Sequence, residues 1–431
     1  MRSIKFNLST STASGWEAAV SLTEGYLGGQ QKANQLLDSL PKSFSGERRA
    51  ACQSLFLGAL RHGHRVQHAL QPFLRQQPRA RVEAIFLVAG YEMLSSTAAK
   101  HPQIVHHAVE RSKHAIAASE TGLLNAVLRK LPPALDATHP SNRPDAHFSH
   151  PKWLFKRWNK TFGSATTLQL MAWNQRTPDN YLKLYAPPKQ LPRGIEPTQW
   201  PQFYRLSATA SWKDDLLPWL KTGDAYIKDP STRLAPELLA PQKGDDVLDL
   251  CAAPGGKAYD LAHLMQCEGR IVALDLPGKR IERLRENLSR LTNSKLACPI
   301  VASDLLQTTE RTFTREGLPA QYDAVMLDAP CSNTGVIQRR TDVKWRLRSR
   351  DFSNCAALQL QLLSAAARFV KPGGRLVYST CSIEIEENGA VVDAFLQSAR
   401  GARFNLKDSA ISLPWETNHD GAGAFLLIAE Q

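Results

Sequence analysis

At 431 residues the chain exceeds one ordinary domain of roughly 100–200 residues, so two or three are expected. Hydrophobic residues at 43% and charged residues at 22% exclude a disordered chain, and 53 Lys and Arg against 40 Asp and Glu leave a formal charge of +13, a field suited to a polyanion such as RNA, DNA or an anionic membrane. No run approaches the roughly 18 apolar residues that span a bilayer, the N-terminus lacks the unbroken apolar stretch of a secretion signal, and seven scattered cysteines without a C-x-x-C pair argue for a reducing compartment; the expectation is a soluble, cytoplasmic monomer with no membrane and no metal partner.

From about Gly15 to Leu131 apolar residues recur at three and four, as in Cys52, Leu55, Phe56, Ala59 and Leu60 and again in Val82, Ile85, Phe86, Ala89 and Met93. This predicts short helices packed as a compact bundle over residues 1–135, with Arg and His on the polar faces. His62, His64 and His68 fall on or near one helix and read as ordinary surface residues. Pro, His, Asp and Asn crowd residues 136–150, which predicts a linker. Residues 151–230 open with the helical pattern WLFKRWNKTFG and continue with short strand candidates, YLKLYA, FYRLSA and AYIKD, between Pro-rich turns: a small mixed α/β module. From 231 to 431 apolar strands alternate with helices, in VLDLCA, IVALD, IVASD, AVMLDAP and RLVYSTC. Such alternation predicts a parallel sheet buried on both faces, a Rossmann-like doubly wound α/β domain whose strand C-terminal ends share one edge.

On that edge VLDLCAAPGGKA ends a strand in a Gly-rich turn before a helix, where small residues let a ligand approach the backbone. Asp275 ends the next strand, where a carboxylate can accept hydrogen bonds from two ribose hydroxyls, and Asp304 ends a third, within reach of an adenine amino group. A P-loop is excluded because position 251 is Cys and Ala258 follows Lys257, and G-x-G-x-x-G is absent. What fits is a nucleoside cofactor without a pyrophosphate, namely S-adenosylmethionine.

Two further strand ends carry cysteines, Cys331 in AVMLDAPCSNTGV and Cys381 in RLVYSTCSIEIEENG. If their strands are neighbours, both thiols open onto one cleft beside the cofactor. Cytosine C5 is too electron-poor to take a methyl group unaided, but a thiolate adding to C6 makes C5 nucleophilic. Asp328, three residues before Cys331, is placed to stabilise charge at N3, and a second Cys could assist release. Which thiol attacks is left open by spacing alone. Cys251 reads as packing or cofactor-lining, and Cys52, Cys267, Cys298 and Cys355 as structural.

With LCAAPGGK, DAPCS, STCS and GVIQRRTDVKWRL, the chain resembles the RNA cytosine-5 methyltransferases of the NOL/NOP2/Sun family, in the bacterial 16S rRNA branch called Sun or Fmu. The likeness runs over nearly the whole length, GALRHG and GLLNAVLRK resembling a NusB-like RNA-binding domain. It implies RNA, small-subunit ribosomal RNA first, as the substrate, with Cys381 the nucleophile and Cys331 assisting release. It also implies cofactor contacts from Ala252, Ala253, Pro254, Gly255, Gly256, Lys257, Ala258, Asp275, Asp304 and Asp328. The 151–230 module would help position RNA, as would the basic run Arg339, Arg340, Lys344, Arg346, Arg348 and Arg350 with Trp345 among it. The chain departs from the family at Asn333 (usually Gly), Thr341 (Pro), Ala258 (Thr) and Lys228 (Gln), departures that bear on RNA positioning and turnover. The competing readings are a cytosine-5 methyltransferase for tRNA or DNA, and a catalytically silent RNA-binding factor in ribosome assembly.

Overall fold

The computed structural model describes residues 14–29, 31–186, 188–291 and 295–431, which fall into two compact units. The first unites the chain up to Arg176 with a detached piece, Ile337–Arg346. Its helices start where the local chemistry asks for them. Ser14 and Glu17 form a reciprocal capping box at the head of Gly15–Leu27, satisfying backbone N–H groups that the first turn leaves over. The helices Gly46–Leu70 and Ala80–Leu94 pack at close range because each offers a glycine to the other. A Cβ on Gly58 would stand 2.1 Å from the Tyr91 ring, and one on Gly90 would stand 2.6 Å from Val66. Phe56, Ile85, Phe86 and Leu124 fill the core between them.

The stretch around 136–150 is more structured than its composition suggests. Pro132 and Pro144 sit in the first turn of short helices, Leu131–Asp136 and Pro144–His147, where proline's missing N–H costs nothing. Ala146, Ser149 and His150 are buried. The helices Lys152–Phe162 and Ser164–Gln175 also belong to this unit, so the boundary between units falls at Arg176, within the 151–230 span.

The second unit carries two sheets. Strands β1 (Asn180–Leu184), β2 (Ile195–Pro197), β3 (Phe203–Leu206) and β4 (Ala225–Ile227) make a small antiparallel sheet in the order β2-β3-β1-β4. The larger sheet holds β5 (Asp246–Leu250), β6 (Gly269–Asp275), β7 (Leu296–Ala297), β8 (Ile300–Ala302), β9 (Tyr322–Asp328), β10 (Val370–Thr380), β11 (Phe404–Ser412) and β12 (Ala422–Ala429). Its order is β11-β12-β10-β9-β5-β6-β7, with β8 also on β6. β5 to β10 run parallel, as their near-continuous apolar composition requires, while β11 and β12 add an antiparallel edge. This is the Rossmann-like architecture expected from the alternation of strands and helices. Leu248, Val272, Val325 and Leu376 are fully buried, each contributing about 1.5–3 kcal/mol of transfer free energy.

Candidate active site

Every chemically suggestive side chain of the α/β unit lies at or just beyond a strand's C-terminal end. After β5 the backbone reverses through Cys251 in the left-handed region (φ 60°) and reaches Gly255 (φ 102°), which only glycine adopts without strain. A Cβ on Gly255 would also press to 3.0 Å from Leu284. The helix Gly256–Leu264 follows, its first N–H groups facing the cleft end of the sheet. Asp275, buried at the end of β6, accepts the Ala253 and Leu276 N–H groups, both at 2.8 Å, and meets Arg280 at 3.3 Å. Arg280 in turn donates to the Ala253 carbonyl at 2.7 Å, so the turn and this carboxylate are braced together. Asp304 lies two residues past β8, half-buried, accepting the Leu306 N–H. Asp328 ends β9 and pairs with Lys257, and Ser379 on β10 donates to it at 3.1 Å. Ala258 is not brought to this edge: it is fully buried in the packing between helix and sheet, with Leu261 and Ala262.

β9 and β10 are parallel neighbours, with Asp328 opposite Ser379, so the loops that leave them emerge side by side. Cys331 Sγ and Cys381 Sγ stand 3.2 Å apart, and both residues are half-buried thiols. Their hydrogen bond holds the Cys331 proton well above the usual thiol range, helped by burial and by the negative charge of Cys381 and Glu387. Asn333 has φ 63°, a left-handed position that glycine takes without strain and that asparagine tolerates better than most other residues. Its side chain is not idle. The amide donates to the Cys331 carbonyl at 2.7 Å and its oxygen lies 3.5 Å from Cys381 Sγ.

Three groups do more than the sequence reading assigned to them. Asp249, inside β5, is completely buried with neither carboxyl oxygen hydrogen-bonded; burial and then the nearby Asp328 charge push its proton affinity well above the usual carboxylate range. An acid within an otherwise apolar strand was the available signal. Lys228, in place of the family's Gln, reaches into a buried cluster: its Nζ meets Asp260 at 2.7 Å, Tyr185 Oη at 2.8 Å and the Gly256 carbonyl at 2.8 Å, while Lys183 takes the other Asp260 oxygen at 2.8 Å. Glu387, in the EEN run after Cys381, is also fully buried.

The basic run needs correction. Lys344 is fully buried in the helical unit, donating to the Arg61 carbonyl at 2.9 Å, and Trp345 Nε1 donates to the Leu60 carbonyl at 3.0 Å. Arg346 is bound to Asp342 at 2.7 Å. Of this run Arg340, Arg348 and Arg350 remain exposed without a burial to explain them. His62 is half-buried: it stacks on Tyr91 with ring centroids 5.6 Å apart, and burial lowers its pKa to about 3.

A Rossmann-like sheet whose C-terminal edge carries a Gly-rich turn, strand-end aspartates and paired strand-end cysteines defines a methyltransferase fold. The 16S rRNA methyltransferase RsmB/F family matches residues 236–416 and the NusB family matches residues 18–132. The chain is 31% identical over 398 residues to ribosomal RNA small subunit methyltransferase B of Serratia proteamaculans, covering 87% of this chain and 88% of that one. It is 30% identical over 423 residues to the protein of the same name from an Enterobacter species, covering 93% and 95%. The chain therefore belongs to the RsmB/F family of rRNA methyltransferases, with a NusB-like N-terminal region. Among solved structures, PH0851 shares the fold with a TM-score of 0.73 at 20% identity, covering 97% of this chain and 98% of that one. A methyltransferase homolog protein from Pyrococcus horikoshii shares it at 0.56 and 24% identity, over 68% of this chain and 99% of that one. No helix among the described residues is long and apolar enough to cross a membrane.

Proposed function

We propose that this enzyme transfers a methyl group from S-adenosylmethionine to C5 of a cytosine in RNA, 16S rRNA first, through a covalent bond between Cys381 and C6. The observation that carries the reading is the pair of sulfurs 3.2 Å apart on the loops that leave two adjacent parallel strands, at the sheet edge that also carries Asp275 and Asp328. The donor set suits this cofactor. Asp275 and Asp304 stand at the strand ends as acceptors for hydroxyl and amino groups, and the Gly-rich turn at 254–256 leads into the helix Gly256–Leu264 beside them. When bound, the cofactor supplies an electrophilic methyl group on a sulfonium. Asp275 would hold the ribose hydroxyls, Asp304 the adenine amino group, and the 252–257 turn with Asp328 the amino-acid end.

Cys381 adds to C6 as a thiolate, and the electron pair displaced from the C5–C6 double bond makes C5 nucleophilic. Asp328, as a carboxylic acid facing N3, would donate a hydrogen bond that stabilises the negative charge built up on addition. Once C5 carries its methyl group, a water acting as base takes the C5 proton, the C5–C6 double bond re-forms and the Cys381 sulfur leaves with the electron pair of the C6–S bond. Cys331, held as a thiol, donates a hydrogen bond to that departing sulfur. The NusB-like bundle and the small sheet would position the RNA.

Incubation with methyl-labelled cofactor and rRNA, followed by bisulfite sequencing, tests the reading. Cys381→Ala abolishes transfer with the fold intact, whereas Cys331→Ala accumulates a denaturation-resistant protein–RNA adduct. Full activity in both variants would reject the mechanism. Methylation of tRNA or DNA but not rRNA would reject the substrate, and no transfer to any nucleic acid would leave the silent assembly factor.

A further inference from the structure

Glu387 lies outside every role assigned so far, yet it joins the two loops that carry the sulfurs. One carboxyl oxygen accepts the Ser332 N–H at 2.8 Å, next to Cys331, and the other accepts the Ser382 hydroxyl at 2.8 Å, next to Cys381. Gln359, on the helix Ser349–Ala366, donates to Glu387 at 3.0 Å and to the Pro330 carbonyl at 3.0 Å, closing the arrangement from behind. Tyr378 on β10 fixes the Glu387 backbone with a 2.6 Å bond to its carbonyl. Ser332, Thr334 and Ser382 hydroxyls lie within 3.1–3.4 Å of one another, and Asn388 bonds the Ser382 and Glu384 carbonyls. Glu387, Ser382 and Gln359 are all completely buried. A buried carboxylate costs several kcal/mol unless its lone pairs are satisfied, and an apolar or amide group would close two loops more cheaply. The charge itself therefore asks for a use.

We propose that Glu387 is the positioning residue of the cysteine pair: by accepting from the Ser332 N–H and the Ser382 hydroxyl it ties the two sulfur-bearing loops together, sets the sulfur–sulfur separation and places a negative charge beside Cys331. This inference rests on the cytosine-5 reading. The titratable groups around Cys331 are Cys381 just past β10, Tyr378 on β10 and Glu387, and Glu387 also meets Cys355 on Ser349–Ala366, with Asp351 close by. Burial first, and the neighbouring charges after it, keeps Tyr378 protonated well beyond the usual phenol range, and Cys355 is pushed up to about 11 by burial and then Glu387. Glu387 thus places a carboxylate among groups whose burial already disfavours ionisation. With Cys331 held as S–H, its hydrogen bond to Cys381 favours the departing thiolate when the C6–S bond breaks, and no net proton is created or lost.

Two variants separate charge from tether. Glu387→Gln keeps an acceptor for the Ser332 N–H and a group for Ser382 but removes the charge. Ser382→Ala cuts the tether on the Cys381 side and keeps the charge. Peptide-resolved iodoacetamide labelling across pH 6–11 reads the thiols without RNA or cofactor. In Glu387→Gln, Cys331 alkylates about tenfold faster at pH 8, the effect of one neighbouring charge worth about one pKa unit. In Ser382→Ala the charge remains but the loops loosen, so the hydrogen bond between the two sulfurs weakens and Cys331 alkylates at least about twofold faster at pH 8. With RNA and cofactor, Glu387→Gln lowers kcat and lets the covalent adduct persist, while the cofactor KM changes less than about twofold, as expected when only release is affected. An unchanged Cys331 profile in either variant overturns the proposal, as does a rise in cofactor KM that matches the fall in kcat. Should the wild-type enzyme methylate no cytosine, the cytosine-5 reading fails while the labelling experiment still judges the Glu387 bridge.

Discussion

Lys228→Gln converts the cofactor-side cluster to the residue usual in the family, and its consequence for stability can be worked from the geometry. Two ammoniums, Lys183 and Lys228, share the single carboxylate of Asp260, and all three side chains are at most 8% exposed. Burial dominates the Lys228 ammonium, Asp260 only partly offsets it, and Lys183 and Lys257 add repulsion, so its proton is held at about 8 instead of the ordinary 10.5. Asp260, which burial alone would raise, is drawn below the usual carboxylate range by the same two ammoniums. For Lys228 that displacement is worth about 3 kcal/mol against the folded state at pH 7. Between pH 8 and 10.5 the unfolded chain holds a proton that the folded chain has shed, so stability rises with pH across that window and the penalty is fully present below it. Gln removes the charge and keeps a donor for Tyr185 or the Gly256 carbonyl. The variant is therefore expected to be more stable than the wild type at pH 7, by up to about 3 kcal/mol, with the gap closing by pH 10.5. Urea unfolding of both proteins at pH 7, 8, 9 and 10 measures the gap. A gap that stays constant with pH, or a wild type that is the more stable at pH 7, refutes the reasoning.

Asp249→Asn removes a buried carboxyl whose folded proton affinity is raised, a group that costs stability once pH exceeds its unfolded pKa near 3.8. The variant gains thermal stability at pH 7 without ligand, read as a higher unfolding midpoint, and an unchanged or lower midpoint would contradict the reasoning. Asn333→Ala and Asn333→Gly both lose the side-chain bond to the Cys331 carbonyl, but only Ala is strained at φ 63°, so it is less stable than Gly by about 1 kcal/mol; equal midpoints in chemical denaturation would contradict the strain argument. Thr341→Val removes a buried hydroxyl that has no partner and gains about 1 kcal/mol, read as a higher unfolding midpoint.

How much was legible follows from the range of each signal. The strand-end cysteines, Asp275, Asp304 and Asp328 and the Gly-rich turn were readable because strand, turn and helix are local patterns, and a parallel sheet brings every strand's C-terminal end to one edge. Asn333 was marked only as a departure; its use as a brace between Cys331 and Cys381 depends on β9 and β10 being neighbours. The basic run misled because charge periodicity cannot tell a solvated face from a buried one. Lys344 finds its acceptor on Arg61, 283 residues earlier in the chain, and no local pattern encodes such a contact.

Alone, the amino-acid order determined the fold class, the alternation of elements and which strand ends carry cysteines and aspartates, since these rest on backbone preferences and apolar spacing within a few turns or strands. Tertiary structure decided what each charge does. Lys228, Lys344, Asp249 and Glu387 look alike on the page as polar residues in mixed surroundings, yet burial and partners make of them an ammonium in a crowded ion cluster, a donor sealed among helices, an acid without a partner and a clasp between two thiols. The physical reason is that the cost of a buried charge, and whatever offsets it, depends on atoms brought together from distant parts of the chain.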